Sequence, residues 1–276
     1  MERLKNHIFK YLVNLHFSKL KTSFKTFFIS LVLLIFTFTS FLISCENNNN
    51  HIEKIEGKNL NIKGIDNKNN KLNEIIKPYR EKIQYLQDTI GYCNLTLTKK
   101  DGKLNSSLGN LIADIMIYES NKVFKEKYFK DIDFCILNFG GIRSNLNQGP
   151  ITKNNLFSIM PFDNKAVVAK INGNKVLELI NFLNQENIAH PVSGIKLKFD
   201  KNKIDKVLIG GEKFNSKNNY YVLTSDFLIE GNDNMFFFKN PIQKFDLEIG
   251  IREILIDYIL KKDTIVSGID ERIVRF

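Results

Sequence analysis

From about Asn59 onward, the apolar residues of this chain recur with two different periods, and this mixture is what most constrains the fold. Helical spacing predicts helices, and alternation or short buried runs predict strands. The predicted helices are Lys71–Leu86, residues 108–124, Val176–Leu183 and Asp246–Lys261. The predicted strands are Cys93–Thr98, Ile132–Leu137, Ala166–Ile171, Val192–Phe199, Ile204–Ile209, Tyr220–Ser225 and the closing ERIVRF. Because the two kinds do not alternate strictly, we expect an α+β fold with mixed β-sheets covered by helices.

The first part of the chain has the character of an export signal. Phe27–Ile43 is an uncharged apolar run preceded by basic residues, and Leu42–Cys45 resembles a bacterial lipobox. We therefore predict a lipoprotein signal peptide over residues 1–44, lipid on Cys45, a polar tether over 45–58 and a folded domain over 59–276. An uncleaved signal anchor is the alternative. Both place the body outside the cytoplasm, on the periplasmic side or at the cell surface.

Charge and cysteine content bear on two questions: whether the chain binds nucleic acid, and whether its cysteines form a disulfide. The net charge is +10, yet the body has no basic stripe interleaved with aromatic residues, so no nucleic-acid partner is expected. Cys93 and Cys135 both lie in or near predicted strands. Outside the cytoplasm they could form a disulfide, and two buried thiols are the alternative.

The body has few residues that could carry out hydrolysis. Its one histidine after the tether is His190, and no His-rich metal motif is present, so we predict no metal ligand and no catalytic residue in this chain. Ser193-Gly194 lacks the context of a nucleophile elbow. His190 precedes a proline at a strand start, and a structural role is expected for it.

One loop, by contrast, has the composition of a binding site. The sequence LNFGGIR follows a buried strand, with Asn138 at the strand end and Arg143 six residues into the loop. Gly140 and Gly141 allow the backbone to approach a ligand closely. The arginine can make a forked, charge-assisted pair with phosphate or ribose oxygens. A tight turn with a solvent-facing arginine would explain the same residues.

The order of several motifs along the chain favours a binding loop over a tight turn with a solvent-facing arginine. From about Gly91 to the C terminus, the chain resembles the C-terminal, substrate-recognising domain of the 5′-nucleotidase and UDP-sugar hydrolase family. The segments that carry the resemblance are SLGNLIAD (Ser107–Asp114), LNFGGIR, GPIT (Gly149–Thr152), MPFDN (Met160–Asn164), INGNKVLELI, VSGIKLKFD (Val192–Asp200) and SDFLIEGNDN (Ser225–Asn234).

The resemblance assigns roles to individual residues. It implies that the Asn138–Arg143 loop contacts a nucleotide, that Phe162 and Phe227 stack on the two faces of the base, and that Asp233 accepts hydrogen bonds from the ribose hydroxyls. Stacking of a base on aromatic rings contributes ~1–3 kcal/mol per base. In a chain with 23 phenylalanines, core packing of these two rings is the alternative.

The sequence departs from the family pattern at several positions. Phe139 replaces the first glycine of the loop, and its bulk is expected to narrow the pocket. Asp163 replaces the glycine after Phe162. Asn232 and Asn234 replace two glycines around the aspartate, and asparagine tolerates a positive φ there. A further family arginine maps to Lys122, which keeps the charge but not the fork.

The resemblance does not extend to the catalytic domain of the family. In the family, a preceding domain supplies two metal ions and an Asn-His pair, and the short segment between Cys45 and Gly91 cannot contain it. The prediction is therefore a recognition half that binds a nucleotide or nucleoside and no cofactor. Hydrolysis would need a separate metallophosphatase chain carrying the divalent metal. The alternatives are a non-catalytic nucleoside-binding surface lipoprotein and a degenerate fold kept as a scaffold.

Overall fold

A computed structural model of the chain describes residue 25, residues 27–35 and residues 70–276. Residues 27–35 are helical and exposed. Within the described ranges, no helix combines the length and the apolar character needed to cross a bilayer. Cys45, the tether and the predicted boundary at residue 59 lie outside the described residues. The compact unit that contains the elements below runs from Asn67 to Phe276.

The helices of this unit begin at capping residues that the sequence supplies. Ser106 caps the longest helix, because its hydroxyl accepts a hydrogen bond from the Gly109 N–H at 3.2 Å. Asn172 caps another helix through Lys175 N–H in the same way. The α-helices are α1 (Asn70–Ile83), α2 (Ser107–Tyr128), α3 (Lys153–Ile159), α4 (Gly173–Gln185), α5 (Asp226–Ile229) and α6 (Ile251–Leu260).

The strands form three mixed sheets. They are β1 (Thr89–Cys93), β2 (Phe134–Ile136), β3 (Gly149–Thr152), β4 (Lys165–Asn172), β5 (Val192–Ser193), β6 (Ile195–Asp200), β7 (Lys203–Ile209), β8 (Glu212–Lys213), β9 (Asn219–Ser225), β10 (Gln243–Gly250), β11 (Thr264–Ile265) and β12 (Ile273–Arg275). The sheet orders are β11-β1-β3, β10-β4-β9-β2-β5 and β12-β6-β7-β8. The predicted α+β class with mixed sheets is confirmed.

The five-stranded sheet lies between two hydrophobic cores, and strand alternation assigns residues to each. In β4, Ala166 and Val168 belong to one core, whereas Val167 and Ala169 belong to the other. The first core is completed by apolar side chains of α2 and α6. The second is completed by α4 and by the sheet that contains β6 and β7. The sheet is therefore covered on both faces, which leaves its strand ends and loops for function.

Three predicted elements are wrong. Val192–Phe199 is not one strand, because β5 ends at Ser193 and pairs with β2, whereas β6 begins at Ile195 and pairs with β7 and β12 in another sheet. Asp246–Lys261 is not one helix, because β10 occupies Gln243–Gly250 and α6 begins at Ile251. Phe245 and Leu247 are two residues apart in β10, which pairs with β4, and both are buried. Their spacing of two is the strand period, and the strand forms here in place of a helix. Cys93–Thr98 is not a strand, because β1 ends at Cys93 and only Leu97 makes an isolated bridge, to Leu146.

The two cysteines of the unit are free and buried. The Cys93 thiol donates a hydrogen bond to the Leu95 carbonyl oxygen at 3.0 Å. Cys135 lies in β2 and packs in the first core. Of the two alternatives, the structure has buried thiols.

Candidate functional site

Three chain segments meet at one edge of the central sheet. Strands β2 and β9 are parallel neighbours, and β4 is antiparallel to β9, with Ala166 beside Ser225. The ends of β2 and β9 and the start of β4 therefore share an edge, which is where open sheets place ligands. Here the residues after β2, those before β4 and those after β9 surround a cleft of about 200 Å³. It is lined by Asn138, Gly140, Gly141, Arg143, Phe162, Asn164, Phe227 and Asp233.

The loop after β2 is a short 3₁₀ turn over Phe139–Gly141. The Asn138 carbonyl oxygen accepts a hydrogen bond from the Gly141 N–H at 3.2 Å and closes the turn. A Cβ on Gly141 would lie 2.9 Å from Asn138 Oδ1, so glycine is required here for the asparagine side chain to keep its place. That side chain donates from Nδ2 to Asp233 Oδ2 at 2.5 Å and connects the loops that follow β2 and α5.

His190 supports this loop from inside the protein. Its side chain is 6% exposed, and Nδ1 accepts a hydrogen bond from the Phe139 N–H at 3.3 Å. The proton of the neutral ring is therefore on Nε2, which is buried without a hydrogen-bond partner among the described residues. Burial lowers the pKa of His190 to about 4, so the imidazole is neutral near pH 7. The sequence predicted a structural role for His190. It gave no sign of the hydrogen bond between His190 and the loop, which the structure shows.

Phe162 and Phe227 differ from the phenylalanines that pack in the two hydrophobic cores. They are 43% and 40% exposed, and neither belongs to a hydrophobic core, whereas Phe124 and Phe134 are completely buried. The core-packing alternative therefore does not hold for them. The Arg143 guanidinium carbon lies 5.1 Å from the centroid of the Phe162 ring, a cation–π distance. Two apolar ring surfaces and a guanidinium group thus face a single cleft.

The turn that carries Asp233 adopts a left-handed backbone. Asp233 and Asn234 have φ of 52° and 61°, and Gly231 has φ of 84°. Aspartate and asparagine are among the residues that tolerate this region, so the turn forms without the family glycines. The Asn232 side-chain amide also donates to the Phe227 carbonyl oxygen at 2.7 Å, which connects the phenylalanine to the turn.

The structure brings together seven of the eight predicted site residues. The exception is Lys122, which lies on the exposed part of α2 and does not line the cleft. Its Nζ lies 3.0 Å from Glu119 Oε1 and 3.8 Å from the centroid of the Tyr118 ring. Asn164 lines the cleft although the sequence did not single it out. Its place at the end of the MPFDN motif was the available signal.

Two departures from the family pattern have consequences other than those expected. Phe139 does not line the cleft and therefore does not narrow it. Its ring lies on the other side of the loop, where Lys99 Nζ is 4.2 Å from the ring centroid. Asp163 forms an ion pair with Arg252, whose guanidinium group also donates to the Met160 carbonyl oxygen at 3.0 Å. These contacts hold the segment that carries Phe162.

Within residues 70–276 and the other described positions, no group of three or more His, Cys, Asp or Glu side chains could hold a metal ion. The charged groups of the cleft are one cation, Arg143, and one anion, Asp233. The site is thus composed of aromatic faces, amides and one charge of each sign. These groups can bind a planar ring, a diol and an anionic group.

Comparison with known families agrees with this geometry. Residues 88–240 match the model of the 5′-nucleotidase C-terminal domain. The chain belongs to the 5′-nucleotidase family. The matched range contains all eight residues that surround the cleft, and the resemblance seen in the sequence is confirmed.

Individual relatives support the family and the fold. The cell wall protein Lmo0130 of Listeria monocytogenes is 30% identical over 209 residues, which are 66% of this chain and 25% of that protein. The 5′-nucleotidase of Vibrio parahaemolyticus is 22% identical over 58% of this chain and 28% of its own length. The 5′-nucleotidase precursor of Thermus thermophilus superposes with a TM-score of 0.63 at 24% identity, covering 73% of this chain and 42% of that one.

The chain therefore spans between a quarter and about two fifths of the length of these relatives. The similarity covers the domain described here. Activities of the whole relatives do not follow from it.

Proposed function

We propose that the cleft binds the nucleoside part of a nucleotide, with the base between Phe162 and Phe227 and the ribose at Asp233. The observation that carries this proposal is the convergence of three distant segments on one cleft of about 200 Å³. Arg143 lies in the same cleft and would pair with a phosphate or ribose oxygen. This is the nucleotide-recognising role that the resemblance implies for the domain.

The energetics of such a complex follow from the exposure of its parts. Both phenylalanine rings are more than a third exposed in the free protein, so a base that covers them would remove apolar surface from water. A stacked base contributes ~1–3 kcal/mol. The loops are held in advance by the contact between Asn138 and Asp233 and by the amide of Asn232. Preorganisation of this kind reduces the entropy lost on binding.

Hydrolysis, in this proposal, belongs to a separate metallophosphatase that supplies the divalent metal. The described residues hold no cluster of metal ligands, and the cleft contains no nucleophile with an adjacent base. The present chain would hold the nucleoside while the partner's metals act on the phosphate. A nucleoside-capturing lipoprotein without a catalytic partner is the outcome if the metallophosphatase shows no response to this chain.

Export and lipid attachment at Cys45 are part of the same proposal. They rest on the apolar run and the lipobox-like Leu42–Cys45, and one relative is named as a cell wall protein. Metabolic labelling with a fatty-acid analogue tests the attachment. Label on the wild-type protein and none on Cys45→Ala is expected, whereas equal labelling would refute lipidation at this cysteine.

Isothermal titration calorimetry with adenosine and AMP tests the binding site. We expect Phe227→Ala and Asp233→Ala each to weaken binding by roughly 1–3 kcal/mol. Phe276→Ala is the matched control, because that ring is 67% exposed and does not line the cleft. Unchanged affinity in both cleft variants would remove the assignment, and the absence of heat with both ligands would leave only a scaffold role.

The hydrolytic part needs its own assay. A candidate exported metallophosphatase with Mn²⁺ is given AMP with and without this chain, and phosphate release is measured. The proposal expects a higher kcat/KM when the wild-type chain is present and no effect when Phe227→Ala is added instead. A rate and KM unchanged by the wild-type chain would contradict the division of labour and leave nucleoside capture.

A further inference from the structure

The first helix of the folded unit, α1, has an apolar face that the described part of the chain leaves uncovered. Every side chain of α1 that the structure describes is exposed, and none belongs to either hydrophobic core. In α4, by contrast, the apolar residues Val176, Leu179 and Ile180 are completely buried. The large apolar side chains of α1 are between 39% and 68% exposed, and they are Leu72, Ile75, Ile76, Tyr79 and Ile83.

These five side chains lie on one side of the helix. At 3.6 residues per turn they span an arc of about 100°, which is the width of a face that a helix normally buries. Lys71 and Arg80 come just outside the two edges of this arc. Glu74 and Glu81 fall on the opposite side, where Glu81 Oε1 lies 3.9 Å from Lys77 Nζ. The face is therefore apolar in the middle and basic at its borders, and the acidic groups lie on the back of the helix.

We propose that α1 lies in the interface of a lipid bilayer, with its axis along the membrane surface and its apolar face toward the acyl chains. Helices with an apolar face and a basic polar face bind membranes in this orientation. Lys71 and Arg80, at the borders, can extend their charged ends to lipid headgroups while their methylene chains follow the apolar surface. Tyr79 lies within the face, and tyrosine is enriched where a membrane meets water.

The charges of α1 favour a membrane over a second copy of the helix. The seam of a coiled coil would use residues spaced alternately by four and three, which here are Leu72, Ile76, Tyr79 and Ile83. The positions that flank this seam, where coiled coils pair opposite charges, hold asparagine, isoleucine, arginine and lysine. Two copies would therefore bring basic groups together with no carboxylate beside them. An anionic lipid surface supplies the missing negative charge.

The place of α1 in the chain fits the same occupant. Residues 46–69 separate it from Cys45, and the apolar run Phe27–Ile43 comes before them. A chain held at a membrane by this first part brings α1 to the lipid surface ahead of the domain. At its other end α1 leads into a 3₁₀ turn, where the centroid of the Tyr85 ring lies 5.3 Å from Lys153 Nζ of α3. The inference rests on the proposed export and anchoring, but not on the nucleoside cleft.

Fluorescence quenching on the full chain in vesicles tests this position. The background is Cys45→Ala, and because the two cysteines of the unit are buried, a maleimide label attaches to an introduced cysteine. The dye NBD is attached in separate proteins at Ile75→Cys on the apolar face and at Glu81→Cys on the back. Lys213→Cys, an exposed position in β8, is the control. The vesicles contain phosphatidylglycerol and phosphatidylcholine with a nitroxide on the acyl chains, and iodide is the quencher in water.

The two quenchers should report opposite surroundings for the two sides of α1. Since a helix is ~10–12 Å across, we expect the lipid nitroxide to quench NBD at Ile75→Cys at least about twofold more than at Glu81→Cys. Iodide should show the reverse order, and Lys213→Cys should respond to iodide alone. Leu72→Cys and Glu74→Cys repeat the comparison at independent positions.

The contrary results separate the other occupants. Equal iodide quenching at Ile75→Cys and Glu81→Cys, with no lipid quenching at either, overturns the inference. A label at Ile75→Cys that is shielded from both quenchers also overturns it, because a second copy or another protein then covers the face. If the chain floats with the vesicles while Ile75→Cys stays in water, the anchor stands and the interfacial helix fails. A chain that does not float refutes both, and adenosine calorimetry is independent of either result.

Discussion

His190 makes the stability of this domain depend on pH in a way that can be calculated. Its buried imidazole has a pKa of about 4 in the folded protein, whereas an exposed histidine titrates near 6.5. As pH falls below 6.5, the unfolded chain takes up a proton that the folded chain refuses, so the free energy of unfolding decreases. The two pKa values give a loss of about 2 kcal/mol between pH 7 and pH 5, and about 3 kcal/mol by pH 4.

The assay is urea denaturation at pH 7 and pH 5 for the wild type and for His190→Leu, which cannot be protonated. The leucine variant lacks the acceptor for Phe139 N–H, so we expect a lower free energy of unfolding at both pH values. Other titrating groups are common to both proteins, so they cancel in the comparison. The wild type should lose about 2 kcal/mol more than the variant across this interval. Identical losses would refute a buried neutral His190, and His190→Gln repeats the test if the leucine variant does not fold.

Further predictions concern the loop, a half-buried ion pair and the first core. Gly141→Ala should weaken adenosine binding about tenfold in calorimetry, because its Cβ would lie 2.9 Å from Asn138 Oδ1; unchanged affinity would contradict it. Arg272→Met should lower the free energy of unfolding in urea by about 2 kcal/mol, since the guanidinium is 11% exposed but its partner Asp114 is 49% exposed; a neutral effect would refute this. Phe124→Ala should lower the free energy of unfolding by about 3–5 kcal/mol in the same assay, because the ring is fully buried. A decrease under about 1 kcal/mol would contradict this and show that the core closes around the gap.

The composition of the site could be predicted from the sequence because its residues stand in short motifs. Asn138 and Arg143 follow a strand that is apolar throughout, so their place at a strand end was evident. The pairing of β2 with β9, which brings Phe227 beside the same loop, could not be predicted, because it joins segments that are nearly ninety residues apart. The order of the motifs along the chain predicted which residues form the site. The pairing of β2 with β9 explains why they lie together.

One predicted helix was wrong because its local pattern fits two structures. In Asp246–Lys261 the apolar residues before Gly250 fit a strand as well as a helix, and pairing with β4 decided between them. The resemblance assigns Lys122 to the site from its position late in α2, but its side chain is exposed and its ammonium group pairs with Glu119. His190 is a similar case, since a hydrogen bond to a backbone N–H leaves no trace in sequence.

The central claim is that two phenylalanines from distant segments hold a nucleobase while Asp233 binds the ribose. A crystal structure of the protein soaked with adenosine tests it most directly. The account predicts the base between the rings of Phe162 and Phe227, with ribose hydroxyls within hydrogen-bond distance of Asp233. Adenosine bound elsewhere, or an empty cleft at a concentration that saturates binding in solution, would contradict it.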